Sequence, residues 1–147
     1  MSGDSSYRFL VDIATADVAF EAWGKDVASV CGAAVTAMLD TMMEDPAALG
    51  VSVEREVVIE EESEEMLVHG LLEELLYHKD AFAMLYRAEE IDVGRVGDTF
   101  RLRAVLRGER IDPARHRIGV DVKAVTMHRL SVRHERGGVR ATVVLDV

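Results

Sequence analysis

The sequence predicts an α+β fold, with a mostly antiparallel sheet and two main helices packed on one side of it. Most of the chain alternates between apolar and polar side chains, which is the period of a β-strand. Two stretches instead repeat their apolar side chains every three or four residues, which is the period of a helix. A chain of 147 residues, 49% of them hydrophobic, suits a single domain spanning residues 1–147.

The first half of the chain is expected to place strands on either side of the first helix. Alternation predicts strands at Tyr7–Ile13, Asp17–Trp23 and Val51–Ile59. Asp26 can cap a helix from Val27 to Met43, because an aspartate side chain accepts hydrogen bonds from the free N–H groups of a first helical turn.

An acidic run precedes the second helix. Ser63, followed by Glu64 and Glu65, is a favourable start, because carboxylates are stabilised at the positive end of the helix dipole. The helix should reach Lys79 or a little beyond, and the acidic run is interpreted as its solvated start. Its buried face should carry the apolar residues at helical spacing, which are Met66, Leu67, Leu71, Leu75 and Ala81.

The second half of the chain reads as strands. They are expected at Met84–Val93 and Thr99–Leu106, and arginines of the second strand should face solvent. A polar loop covers Gly108–Gly119. Two further alternating runs lie between Val120 and Val147 and are joined by Gly137-Gly138, which is a strong hairpin signal.

The charge is divided between the two halves. The net charge is −10, but residues 1–86 hold 4 basic and 18 acidic residues, whereas residues 87–147 hold 13 and 9. The acidic half should repel nucleic acid and the basic half could face phosphate, so any nucleic-acid contact is expected to be at most indirect. No apolar run approaches the length of a membrane span and the first residues lack a signal-peptide core, so a cytoplasmic protein without membrane contact is expected.

Familiar catalytic motifs are absent from the sequence. It has no glycine-rich phosphate loop and no serine, histidine and acid arrangement that would serve nucleophilic catalysis. The only cysteine, Cys31, falls on the apolar stripe of the first helix and is expected to be a small buried residue. These observations argue against an independent enzyme.

The chain end suggests a site. Asp146 and the terminal carboxylate of Val147 should sit together at the end of a strand held by packing, with Lys123 on the neighbouring run. The alternative is that these residues are ordinary: an aspartate exposed at a strand end, and a lysine that extends its charge from an edge strand into water.

Several stretches in a specific order resemble the archease family, small proteins that assist the RNA-splicing ligase, which joins tRNA exon halves using guanosine triphosphate. The matching stretches are Thr15 to Gly24, Leu71 to Tyr77, Gly108-Glu109 with Asp112 and His116, Val122 to Thr126 with His128, and Val144 to Val147.

The resemblance implies a strand-helix-strand-strand unit with an inserted helical segment, and a metal-binding acidic site. It assigns the acidic positions to Asp17 and Asp146, with the chain end at Val147 beside them, and the basic position to Lys123. Oxygen ligands without a cysteine or histidine cluster favour calcium, magnesium or manganese over zinc. His116 and His128 lack a second histidine at ligand spacing, so packing roles are expected for them.

One departure from the family pattern affects this site. The family commonly has Asp-His before Thr-Ala-Asp, whereas this chain has Ile13 and Ala14 there, and the nearest carboxylate is Asp12. A shift of one residue on a strand reverses the face, so Asp12 can serve as a substitute ligand only if the connection contains a bulge.

The resemblance implies an accessory protein that promotes guanylylation of the ligase and repeated turnover through a charged tip. The alternative is a chaperone-like module for an RNA-modifying enzyme such as a tRNA methyltransferase, with a structural metal. A small metal-dependent hydrolase is a third interpretation. Self-association, if any, is expected to be weak.

Overall fold

The computed structural model describes residues 5–11 and 17–147. The elements in these residues are β1 (Ser6–Leu10), β2 (Asp17–Gly24), α1 (Val27–Met42), a 3-10 turn (Pro46–Ala48), β3 (Val53–Glu61), α2 (Glu64–Phe82), β4 (Met84–Val96), β5 (Thr99–Arg110), β6 (Ala124–Val125), β7 (Ser131–Glu135) and β8 (Gly138–Asp146). Every strand pairing is antiparallel. The predicted α+β class is therefore confirmed.

The strands form two sheets, a division that the sequence patterns did not indicate. One sheet has the order β1-β2-β8-β6, with β7 also paired to β8, and the other has the order β3-β5-β4. Both helices contact strands of both sheets, and one cluster of buried apolar side chains joins all of these elements. Helix α1 explains why sheets cover it on more than one side, because its consecutive residues Ala33, Ala34 and Val35 are all buried. A helix that is apolar on most sides must be covered from more than one direction.

The predicted helix starts are confirmed. The Asp26 side chain accepts a hydrogen bond of 2.8 Å from the Ser29 N–H, and the Ser63 hydroxyl accepts one of 3.1 Å from the Met66 N–H. Cys31 is fully buried, as expected, and burial raises the pKa of its thiol to about 12. Within the described part of the chain, neither helix is long and apolar enough to cross a bilayer.

The C-terminal hairpin is confirmed, but its first strand is interrupted. Gly137 adopts φ 90° in the turn, a conformation that glycine tolerates better than other residues. The first run is not continuous, because β6 and β7 pair with different parts of β8. Thr126 ends β6: its hydroxyl bonds the Val144 carbonyl at 3.0 Å and accepts from the His128 N–H at 3.2 Å. Such local side-chain bonds compete with a regular ladder.

Some predicted boundaries are wrong. The strand predicted at Tyr7–Ile13 ends at Leu10, and Ile13 lies outside the described residues. The strand predicted to end at Val93 continues to Val96 and includes Gly94, so the turn is formed at Gly97. The loop predicted at Gly108–Gly119 begins only after Arg110, since Gly108 belongs to β5.

Candidate functional site

The ends of β2 and β8 bring two of the predicted acidic residues together. Asp17 is directly opposite Asp146 in the antiparallel register. Residues in such positions point to the same face, with Cβ atoms about 4.5–5.5 Å apart. Asp146 is exposed and Asp17 is half-buried. The two carboxylates therefore share one face at the end of a strand pair whose inner residues are packed.

Lys123 is fixed beside Asp146 through its backbone. The Lys123 N–H donates a 2.8 Å hydrogen bond to the Asp146 carbonyl, while the Lys123 side chain is exposed. Among the described residues, Nζ of Lys123 has no carboxylate oxygen within salt-bridge distance. The backbone position of this cation is thus set by β8, and its head group is free to meet an outside partner.

Helix α2 holds the segment that carries Lys123, an arrangement that the sequence did not predict. Lys79 Nζ donates to the Val122 carbonyl at 2.8 Å, and His69 Nε2 donates to the Val125 carbonyl at 2.8 Å. A Glu73 carboxylate oxygen accepts from the Val125 N–H at 3.4 Å. These polar side chains make the hydrogen bonds that a neighbouring strand would otherwise make along the edge formed by β6. The only sequence signal was polar residues at helical spacing, which also describes a solvated face.

The loop before this segment is anchored by a partly buried polar cluster around Glu109. His116 is buried, and its Nδ1 accepts a 2.8 Å hydrogen bond from the Asp112 N–H. Its Nε2 therefore carries the proton and donates to Glu109 at 2.9 Å. The Gly50 N–H, 2.5 Å from Glu109, and the ion pair with Arg115 lower the pKa of the Glu109 carboxyl to about 2. The contacts of His116 are therefore structural ones within the fold, whereas His128 is exposed.

The remaining predicted site residues have different outcomes. Val147 is half-buried and packs against the core. Asp12 lies outside the described residues. Residues 5–11 and 17–147 contain no group of three or more histidine, cysteine, aspartate or glutamate side chains suited to a metal ion.

A small cleft borders Asp17. It has a volume of about 390 Å³ and runs from Asp17 to a second acidic residue, Asp40, with Phe9 and Val120 among its walls. The Tyr7 hydroxyl donates a 3.1 Å hydrogen bond to Asp40. The surroundings of Asp17 are therefore partly acidic and partly apolar.

Asp17 and Asp146 are part of the ligand set that a divalent cation requires. Asp17 and Asp146 supply hard carboxylate oxygens on one face. Calcium and magnesium prefer oxygen ligands and accept water for the remaining positions. Two carboxylates alone make a site that depends on water or on a partner to complete it.

Known proteins resemble this chain along its whole length. The model of the Archease protein family matches residues 7–147. Protein archease of Methanopyrus kandleri is 34% identical over 135 residues, which cover 90% of this chain and 94% of that protein. Protein archease of Archaeoglobus fulgidus is 33% identical over 143 residues, which cover 96% of this chain and 98% of that protein.

Solved structures share the fold. The solution structure of a Methanobacterium thermoautotrophicum protein matches with a TM-score of 0.81 and 30% identity, covering 100% of both chains. The crystal structure of a Thermotoga maritima archease, described as a "possible chaperone", matches with a TM-score of 0.64 and 20% identity, covering 95% of this chain and 98% of that one. The family match spans nearly every described residue, and the chain therefore belongs to the archease protein family.

Proposed function

We propose that this chain is an accessory protein of the RNA-splicing ligase, and that it promotes guanylylation of the ligase and repeated turnover. Membership of the archease family supports an accessory role. The resemblance of the motifs around Asp17, Lys123 and Asp146 supports the ligase as the partner.

The observation that carries the proposal is the pairing of Asp17 with Asp146. Like charges directly opposite each other on neighbouring strands destabilise a sheet. Within the described residues, neither carboxylate forms a salt bridge that would offset this repulsion. An arrangement that costs stability and faces outward is typical of a binding site.

Asp17, Asp146 and Lys123 form a surface that we call the acidic tip, and each has a chemical role in the proposal. Asp17 and Asp146, with Val147 beside them, would hold a divalent cation such as calcium, magnesium or manganese. When bound, the cation supplies positive charge that neutralises a triphosphate. Lys123 offers a compact cation to a phosphate oxygen or to an acidic residue of the ligase. The protein itself contributes binding and orientation, and the ligase carries out the chemistry.

The proposal is tested by measuring guanylylation of the cognate RNA-splicing ligase with labelled guanosine triphosphate and a divalent metal. Ligase plus this protein should accumulate label faster than ligase alone. This protein alone should leave the nucleotide intact. Hydrolysis by the protein alone would favour the metal-dependent hydrolase instead.

The chaperone-like module remains the second candidate, since the Thermotoga maritima protein of the same fold is described in those terms. Under that alternative the ligase gains nothing, while a tRNA-modifying enzyme stays soluble on heating only when this protein is present. The two measurements together separate the candidates.

A further inference from the structure

We propose a second site, for single-stranded RNA, at the end of the five-stranded sheet opposite the acidic tip. Its centre is a row of three side chains, Trp23 on β2, Arg140 on β8 and Arg133 on β7, which we call the arginine–tryptophan row. Trp23 is directly opposite Arg140, and Arg140 is directly opposite Arg133. Directly opposed residues point to the same face, so the three side chains form one continuous surface about 10 Å across.

The row is open to a ligand. A cleft of about 540 Å³ lies over it and is also bordered by Arg8, Glu21 and Glu135. The Arg140 guanidinium lies over the Trp23 ring, 5.2 Å from its centre. The side chain of Arg133 is 56% exposed and that of Arg8 is 65% exposed. An incoming group can therefore reach the guanidinium groups and the indole together.

The charges of the row are not balanced. Arg133 and Arg140 form a like-charge pair across neighbouring strands, which a sheet optimised only for stability avoids. Glu135 is 3.3 Å from Arg140 and 3.8 Å from Arg133, so one carboxylate serves both. Glu21 is similarly shared, by Arg8 at 2.7 Å and by Arg140 at 3.4 Å. Three arginines thus share two glutamates, which leaves a net positive charge beside an aromatic ring.

The arginines on the other sheet show what a purely solubilising arrangement looks like. On β5, Arg101 and Arg103 each have a glutamate of their own on β3, at 2.8 and 3.0 Å. Arg107 contacts three glutamates. These three arginines therefore meet five glutamates. Arg87 lies directly opposite Arg107, but its guanidinium donates to the Leu49 and Pro46 carbonyls. The arginine–tryptophan row differs in charge balance, and in having the only tryptophan of the chain.

The chemistry of the row suits a nucleic acid better than an acidic protein segment. Guanidinium groups bind phosphate oxygens in a two-pronged geometry, and an aromatic ring stacks on a nucleobase. An acidic peptide uses the arginines but has no planar group for the indole. The Arg133–Glu135 pair is exposed on both sides. Exposed salt bridges contribute at most about 1 kcal/mol, so a phosphate can take the place of Glu135 at small cost.

The surrounding charge would orient the RNA. The stretch from residue 128 to residue 140 holds four arginines and one glutamate in a protein of net charge −10. A polyanion is therefore attracted to this hairpin and repelled by most of the remaining surface.

The row and the acidic tip lie on the same face of β2, because Asp17 and Trp23 are separated by an even number of residues. Six residues of strand span roughly 20 Å. The arginine–tryptophan row goes beyond the proposed function, and its existence does not depend on that function. Only the choice of RNA over DNA as its ligand rests on the proposed function. It also departs from the expectation that nucleic-acid contact is at most indirect.

Trp23 provides a direct readout, because it is the only tryptophan in the chain. The full-length protein is titrated with a single-stranded RNA of about ten nucleotides while tryptophan fluorescence is recorded. Saturable quenching is expected. Arg133→Gln removes a cation that does not contact the indole. It should raise the RNA concentration at half-saturation roughly tenfold. It should also reduce the slope of log affinity against log salt by about 0.7.

The control variant is Arg103→Gln on the three-stranded sheet, which should bind like the unmodified protein. Thermal melts of both variants show that the fold is kept. Absence of saturable quenching, or equal binding by Arg133→Gln and the unmodified protein, would overturn the proposal. Equal quenching by a polyglutamate peptide would also overturn it, in favour of an acidic protein partner. No ligase is present, so failure here is independent of failure of the acidic tip.

Discussion

Asp17 lies directly opposite Asp146 across β2 and β8, and neither carboxylate forms a salt bridge within the described residues. Such a pair should repel. Replacing Asp146 by asparagine is therefore expected to raise the free energy of unfolding by about 0.2–1 kcal/mol at low salt. Thermal melts of Asp146→Asn and of Asp98→Asn, an exposed aspartate in a turn, provide the comparison.

The pairing of Asp17 with Asp146 also predicts that a divalent metal stabilises the fold. Millimolar manganese or calcium should raise the melting temperature of the unmodified protein, because a ligand that binds only the folded state stabilises it. The rise should be smaller in Asp146→Asn and unchanged in Asp98→Asn. Equal rises in all proteins would place the cation elsewhere.

Glu109 should make the protein sensitive to acid. Its pKa falls from the ordinary 4.5 to about 2 in the folded protein, first through the Gly50 N–H and then through Arg115. Because the pKa is lower in the folded protein, the Glu109 charge stabilises the fold at any pH above the unfolded-state pKa. That stability is lost as the pH falls from about 4.5 towards 2.

Urea unfolding of the unmodified protein and of Glu109→Gln between pH 6 and pH 2 measures this effect. The glutamine variant should be less stable at pH 6, and the difference between the two should shrink as the pH falls. A difference that stays constant over the whole range would contradict the contribution of the Glu109 charge.

Gly108 is required by the close approach of β4 to β5. A Cβ atom at this position would lie 1.8 Å from the Leu85 carbonyl oxygen, a contact that only backbone displacement can relieve. Gly108→Ala should therefore cost at least about 1–3 kcal/mol of unfolding free energy. Gly94→Ala, on β4 with nothing within 4 Å of the added carbon, is the control and should melt nearly normally. Similar melts for the two variants would show that β4 and β5 do not approach so closely.

Local signals in the sequence were sufficient for much of the fold. Asp26 and Ser63 indicated where the helices start, and Gly137 indicated the hairpin, because caps and turns depend on a few neighbouring residues. Asp146 was indicated by its place at the end of a predicted strand, whereas Asp17 came from the family resemblance rather than from any local pattern.

Features that depend on distant parts of the chain could not be predicted. The division into two sheets follows from which strands pair, and β5 pairs with both β3 and β4. His69 was indistinguishable from a solvated helix residue until the edge at Val125 was placed beside it. The like-charge pair of Arg133 and Arg140 depends on register, which a shift of one residue would remove.

The central claim is that the acidic tip is the working surface. Asp17→Ala, Lys123→Ala and Asp146→Ala should change the unfolding free energy by only about 0.5 kcal/mol, because these side chains lie outside the packed core. The matched controls are Asp98→Ala and Lys25→Ala, which remove exposed charges elsewhere. Leu75→Ala should behave in the opposite way, losing about 2–5 kcal/mol through a cavity while the molecules that remain folded stay active.

The most direct measurement is multiple-turnover ligation of a cleaved tRNA by the cognate RNA-splicing ligase, with each variant melted in parallel. The account predicts that the variants at Asp17, Lys123 and Asp146 melt normally yet lose stimulation of turnover, whereas the two control variants retain both. Full stimulation by normally melting tip variants would contradict it, and would favour the chaperone-like module.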